Sequence, residues 1–183
     1  MTLNDDNSVK FIKNTTWVDE VAGSIPDHSV DVKRVLLEVM SDDTINEVDR
    51  HGCALAAAIV SGNGELAFEI SMNGPLLGTD EREVAKSAAS VATMKATYNS
   101  FLSGQNVIRD VDYNEFDVCV KDTFGGVAPS KFQLYKFVSN VVLNSPADIE
   151  ESLTEMNINI TSYQLKLAAK IAAVVSAIGK VAI

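Results

Sequence analysis

Residues 165–183 read "LKLAAKIAAVVSAIGKVAI". The stretch is apolar enough to suggest a membrane span, and its reading decides the fold. Lys166, Lys170 and Lys180 interrupt it and share one helical face. Leu167, Ile171, Val174, Ile178 and Val181 fall on another face, at spacings of four and three. A spanning helix needs about 20 predominantly apolar residues in a row. Lysines on one side and a branched-chain stripe on the other instead describe a helix that buries one face in a protein core. The stretch predicts a domain made by packing such helices together.

The rest of the chain repeats the pattern. Residues 79–104, "TDEREVAKSAASVATMKATYNSFLSG", bring Val84, Ala88, Val91, Met94, Tyr98 and Phe101 round every three or four positions. Thr79 is placed to cap this helix, acids fill its first turn, and Gly104 follows its end. Residues 29–40, "SVDVKRVLLEVM", put Val32, Val35, Leu36 and Val39 on one face, with Ser29 as the expected cap. Residues 45–64 read as a long helix closed by Gly62-Asn63-Gly64, with small residues from Ala54 to Val60 that allow close helix–helix approach. "TWVDEVAGSIP" at 16–26 is a short helix stopped by Gly23 and Pro26. "ELAFEISMNG" is short as well, and "NGPLLGT" is a loop. Residues 129–144, 145–157 and 161–179 complete the series. "EFDVCVKDTFGG" at 115–126 stays open between a helix and a short strand, because "FDVCV" also alternates. No alternation of strands and helices appears, so the expected class is all-α.

Composition bounds the rest. The 183 residues hold 46% hydrophobic and 22% charged residues, which is ordinary for a soluble globular protein. One domain over 15–183 is expected, after a flexible arm at 1–14, with an alternative of two helical subdomains meeting near 104–114. The net charge of −10 argues against nucleic acid and anionic membranes as partners. The opening residues carry no apolar signal segment, and a reducing cytoplasm is the simplest expected compartment. The two cysteines, Cys53 and Cys119, stand 66 positions apart, and the two histidines, His28 and His51, lie near no ligand cluster. Neither a metal nor a cofactor is expected.

A helix pattern runs through Leu134, Tyr135, Val138, Val141 and Val142 and stops at Leu143-Asn144. Ser145-Pro146-Ala147-Asp148 then restarts a helix. Ser145 is a preferred cap type, Pro146 suits the first turn, and Asp148 can imitate the acid of a capping box. No histidine lies near Ser145 to serve as a base. Cys53 and Cys119 read as buried core residues, and a redox pairing of the two needs Cα atoms within about 7 Å. His51 is expected at the surface or an interface, Glu150 and Glu151 as a solvated first turn. Tyr98, Phe101, Phe132 and Tyr135 are expected as core aromatics or as the lining of a pocket.

The order of "GCALAAAIVSGN", "MKATYNSF", "GVAPSKFQLYKFVSNVVLN" and "YQLKLAAKIAAVVSAIGKVA" resembles the AhpD (alkylhydroperoxidase D) family of the carboxymuconolactone decarboxylase-like superfamily. The resemblance covers roughly residues 17–183. It implies an AhpD-like helical fold, a homo-oligomer that is usually a trimer, a place in antioxidant defence and a peroxiredoxin as partner. It also implies alkyl hydroperoxide reductase chemistry by a Cys-x-x-Cys pair at a helix N-terminus, with a glutamate and histidines relaying protons.

This chain departs from that pattern at each chemical position. The relay glutamate falls at Gln133, which accepts no proton at neutral pH. The thiol stretch falls at "LNSPADIEE", three residues shorter than in the family. With the gap before it, Ser145 stands for the second cysteine and Ile149 for a relay histidine. With the gap after it, Ser145 stands for the first. The expected function is that of a binding or scaffolding homologue without thiol peroxidase activity. The alternatives are an active reductase, or another carboxymuconolactone decarboxylase-like enzyme, using other residues, and a plain structural oligomer.

Overall fold

The computed structural model describes residues 16–73, 77–104, 127–156 and 160–181. The arm at 1–14, the segment beyond Gly104 where two subdomains were expected to meet, residues 115–126 and Cys119 lie outside them.

Among the described residues every regular element is helical, and the chain is all-α. In order these are α1 (Trp17–Ser24), a 3-10 turn (Asp27–Ser29), α2 (Val30–Ser41), α3 (Glu47–Val60), α4 (Gly64–Asn73) and α5 (Thr79–Gly104). Then follow α6 (Pro129–Leu143), α7 (Pro146–Glu155) and α8 (Ser162–Val181). The C-terminal stretch is the amphipathic helix its pattern predicts. Leu167, Ile171, Val174 and Ile178 are buried in α8, while Lys166, Lys170 and Lys180 are exposed. No helix among the described residues is long and apolar enough to cross a membrane.

The helices start where local chemistry satisfies their free N–H groups. Thr16 and Asp19 form a reciprocal capping box on α1. Asn46 accepts from the Asp49 N–H at the start of α3. Ser29 holds the position before α2 but makes no capping hydrogen bond, because the 3-10 turn already delivers the chain into the helix. Thr79 is the first helical residue of α5, so it lies one step inside the position expected of a cap.

α3 and α6 form the centre. Cys53 to Ala58 are at most 1% exposed, and α6 is buried from Leu134 to Asn140. The small residues of α3 therefore serve packing inside the chain, and Ala54 to Ala58 are not available to a second copy. On α5 the expected core face holds for Val84 and Ala88 but fails further on. Met94 is 40% and Phe101 52% exposed.

Four of these helices point the same way. Lys131 Nζ lies 3.2 Å from Asp49 and 3.8 Å from Glu81, which joins the first turns of α6, α3 and α5. Gln164, in the first turn of α8, lines a cleft with Asp49 and Lys131. At the far end Gly179 of α8 faces Asn63, just past α3. Parallel helices gather their positive ends, each equivalent to about half a charge. Acids in the first turns, Glu47 and Asp49 on α3 and Asp80 and Glu81 on α5, offset that concentration. α7 returns antiparallel to α5, with Glu151 beside Lys95 and Asp148 beside Asn99.

Candidate functional site

The α6–α7 break forms because Asn144 takes the left-handed conformation, φ 52°, that short polar side chains tolerate at a helix end. The Asn144 N–H returns to the Val141 carbonyl at 3.1 Å and the Ser145 N–H to the Asn140 carbonyl at 3.3 Å. Pro146 then opens α7 at a position that needs no N–H donor.

Ser145 occupies the cap position, yet its side chain accepts nothing from the α7 backbone. Its hydroxyl donates instead to Asp148 Oδ2. This corrects the capping-box expectation: the Ser145 N–H is committed to α6, and Asp148 reaches back to the Ser145 hydroxyl instead of its N–H. Asp148 is 2% exposed, and Asn99 Nδ2 donates to its Oδ1 at 3.0 Å. Asn140, 1% exposed, donates from Nδ2 to the Asp148 carbonyl at 3.1 Å and to Ser152 Oγ at 2.8 Å. Its Oδ1 is buried without a hydrogen-bond partner among the described residues. A polar cluster drawn from α5, α6 and α7 thus sits beneath the break.

A charged layer follows one turn along. Glu151 bridges Lys95 and Lys136, and Lys136, only 8% exposed, also meets Glu155 at 2.8 Å. Burial alone would raise the Glu151 carboxyl, but the hydrogen bond and charge of Lys95 and the charge of Lys136 hold it below its ordinary value. Glu151 is therefore not a solvated first-turn acid, whereas Glu150 is exposed as expected.

The family-equivalent positions are not all brought together. Ser145 and Ile149 share one turn, since the Ile149 N–H bonds the Ser145 carbonyl at 2.9 Å. Ile149 packs against the core. Gln133 lies near the opposite end of α6, about 15 Å from Leu143 at 1.5 Å per residue. It is half-buried and belongs to a different layer from Ser145.

That end of α6 carries a second polar group. A cleft there is lined by Ile45, Asp49, Ser130, Lys131, Leu134 and Gln164, among others. Tyr135 donates its hydroxyl to Asp49 Oδ1 at 3.4 Å. Cys53 is fully buried, and desolvation, followed by the charge of Asp49, pushes its thiol well above the usual range. His51 is 5% exposed rather than at the surface. Its Nδ1 bonds the Glu47 carbonyl at 2.8 Å, and its ring meets Trp17 edge to face. Phe132 and Tyr135 are buried as expected.

Sequence reading missed Asn99, Asn140, Ser152, Lys95 and Lys136. Asn140 and Lys136 had a signal: each interrupts an apolar run on α6, and buried polar groups carry partners. Asn99 and Lys95 had none, since they look like the solvent face of a long helix.

No family model matches the chain. It is similar to proteins named alkyl hydroperoxide reductase AhpD. The relative from Methylocella silvestris is 31% identical over 86 residues, 46% of this chain and 48% of the relative. That from Beijerinckia indica subsp. indica is 31% identical over 87 residues, again 46% and 48%. That from Brucella anthropi is 23% identical over 167 residues, 88% of this chain and 93% of the relative. The chain spans about half the length of the first two in those matches. These matches support a relation to AhpD-named proteins.

Proposed function

We propose that the chain is an AhpD-like protein without thiol peroxidase chemistry, acting as a binding homologue in the antioxidant setting of its relatives. The observation that carries this reading is the α6–α7 break. The position that the resemblance assigns to a reactive dithiol holds Ser145, Pro146, Ala147 and Asp148, tied into a buried hydrogen-bond cluster. Cys53 offers no substitute, because it is fully buried and its thiol is held protonated. A thiolate is the nucleophile in disulfide exchange and peroxide reduction, so a protonated, enclosed thiol is inert.

The test is consumption of an alkyl hydroperoxide with dihydrolipoamide or a reduced peroxiredoxin as electron donor. No sustained turnover is expected. Turnover abolished by replacing Cys53 or Cys119 would overturn the reading.

Assembly into a homo-oligomer, a trimer by the resemblance, belongs to the same proposal, as does a peroxiredoxin as binding partner. Light scattering at micromolar concentration decides the first, where a monomeric mass refutes it. Co-sedimentation with a peroxiredoxin decides the second.

A further inference from the structure

We propose that α4 of one copy of the chain docks on α8 of the next, an acidic and apolar helix face meeting a basic one. The inference rests on the homo-oligomer reading above and names the surface that would build it.

An oligomer needs an outer surface, and the central helices α3 and α6 are spent inside the fold. α4 supplies one side of the contact. Leu66 and Ile70 hold its inner face in the core, while Phe68 and Met72, one turn apart, are 61% and 60% exposed. Glu65 and Glu69 flank them, and the spacing 65, 68, 69, 72 places all four on one face. The helix Gly64–Asn73 holds no lysine, arginine or histidine. Two large apolar side chains in water with an acidic rim have the anatomy of an interface, apolar at the centre and charged at the edge.

α8 supplies the other side. Its 20 residues hold three lysines and no acid, in a chain whose net charge is −10. Leu167 and Ile171 face the core, so Tyr163, Lys166 and Lys170 lie outward. Tyr163 is 74% exposed, and Lys166 Nζ stands 5.8 Å from its ring centroid. Lys170 Nζ meets Glu38 of α2 at 3.3 Å, and an ammonium has two further N–H groups to offer. Leu37, beside Glu38, is exposed as well, so this face also carries apolar surface.

The two faces match in sign and in make-up. Phe68 and Met72 lie against the Tyr163 ring and the lysine stems, and Glu65 and Glu69 answer the ammonium groups of Lys166 and Lys170. Because the faces differ, the contact is head to tail. Each copy gives α4 to one neighbour and α8 to the other, and the assembly closes as a ring, with three copies in the trimer that the resemblance implies.

The experiment is light scattering on the full chain across a micromolar dilution series, with melting curves to show that each variant folds. Phe68→Asp should weaken assembly at least about 30-fold, the scale of losing a central aromatic anchor. Reversing one side alone, by Glu65→Lys with Glu69→Lys or by Lys166→Glu with Lys170→Glu, should also dissociate it. All four reversals in one chain should restore it, which a loss of folding or of general solubility would not do. If a reversal variant does not fold, Phe68→Asp decides. A monomeric unaltered chain would overturn the homo-oligomer reading and this contact with it. An oligomer that survives Phe68→Asp, or both one-sided reversals, would overturn this contact alone and leave the α4 face to a different, basic partner.

Discussion

The Tyr135 ring fills the space that a side chain on Gly52 would need. A Cβ placed on Gly52 would stand 2.6 Å from Tyr135 Cε1 and closer still to Cζ and the hydroxyl. Tyr135 is fully buried, and its hydroxyl reaches Asp49 one turn before Gly52 on the same helix. Burial, and then the neighbouring Cys53 and Asp49, push that hydroxyl far above its ordinary pKa, so it remains a donor at any working pH. The two central helices are joined by one aromatic ring lying on one glycine.

Gly52→Ala should therefore destabilise the fold. Alanine in place of glycine inside a helix is worth roughly 0.5–1 kcal/mol in its favour. Overpacking a tight core contact costs about 1–3 kcal/mol. The steric term wins here, because the obstructing atoms belong to a buried ring. Urea unfolding should show the loss, and the double variant Gly52→Ala, Tyr135→Leu should fall short of the sum of its single changes. Additive losses would mean that the ring and the glycine do not constrain each other.

At the α6–α7 break, Asp148→Ala should cost more than Ser145→Ala. Removing the serine hydroxyl forfeits one half-exposed hydrogen bond, about 1 kcal/mol. Removing the carboxylate withdraws the acceptor that Asn99 and Ser145 share in a buried site, about 2–3 kcal/mol. Chemical denaturation of both variants gives the order. The reverse order would restore Ser145 as an ordinary helix cap.

The Glu151 ion pairs should appear in the acid limb of the stability curve. The folded carboxyl is held below its ordinary value of 4.5. A depressed acid contributes its full stabilisation above the unfolded value and loses it as pH falls through the folded one. The chain should lose stability below about pH 4.5, and Glu151→Gln should flatten part of that slope. At pH 7 the same change should cost no more than about 1 kcal/mol, since the carboxylate is partly solvated. Melting from pH 3 to 7 tests both, and parallel curves for the two proteins would refute the assignment.

Cys53 should resist alkylation in the folded state. It is fully buried and its thiol is raised by desolvation, so neither access nor thiolate is available. Iodoacetamide at pH 8, followed by peptide mass spectrometry, should label Cys53 at least about 10-fold more slowly without urea than with it. Equal rates would show that α3 opens readily.

The helices were legible because their signals are local. Lysines at 166, 170 and 180 against a branched-chain stripe define α8 without reference to any other element, and the pattern reappears as burial. The stop at Leu143-Asn144 and the restart at Pro146 follow from residue types that tolerate left-handed and first-turn backbone. What the sequence by itself determined is an all-α chain, an amphipathic C-terminal helix and a thiol-free break between α6 and α7. Only the tertiary structure decided what the polar groups do. Asn99 and Asp148 are 49 positions apart, Lys95 and Glu151 56, and no periodicity relates them. Parallel packing of α5 against α6, with α7 folded back across both, brings them within hydrogen-bond reach. The same packing turned Ser145 from cap to hydrogen-bond donor and His51 from surface to core. A hydroxyl or carboxylate takes whichever partner the neighbouring helices deliver, and that choice is made across the fold.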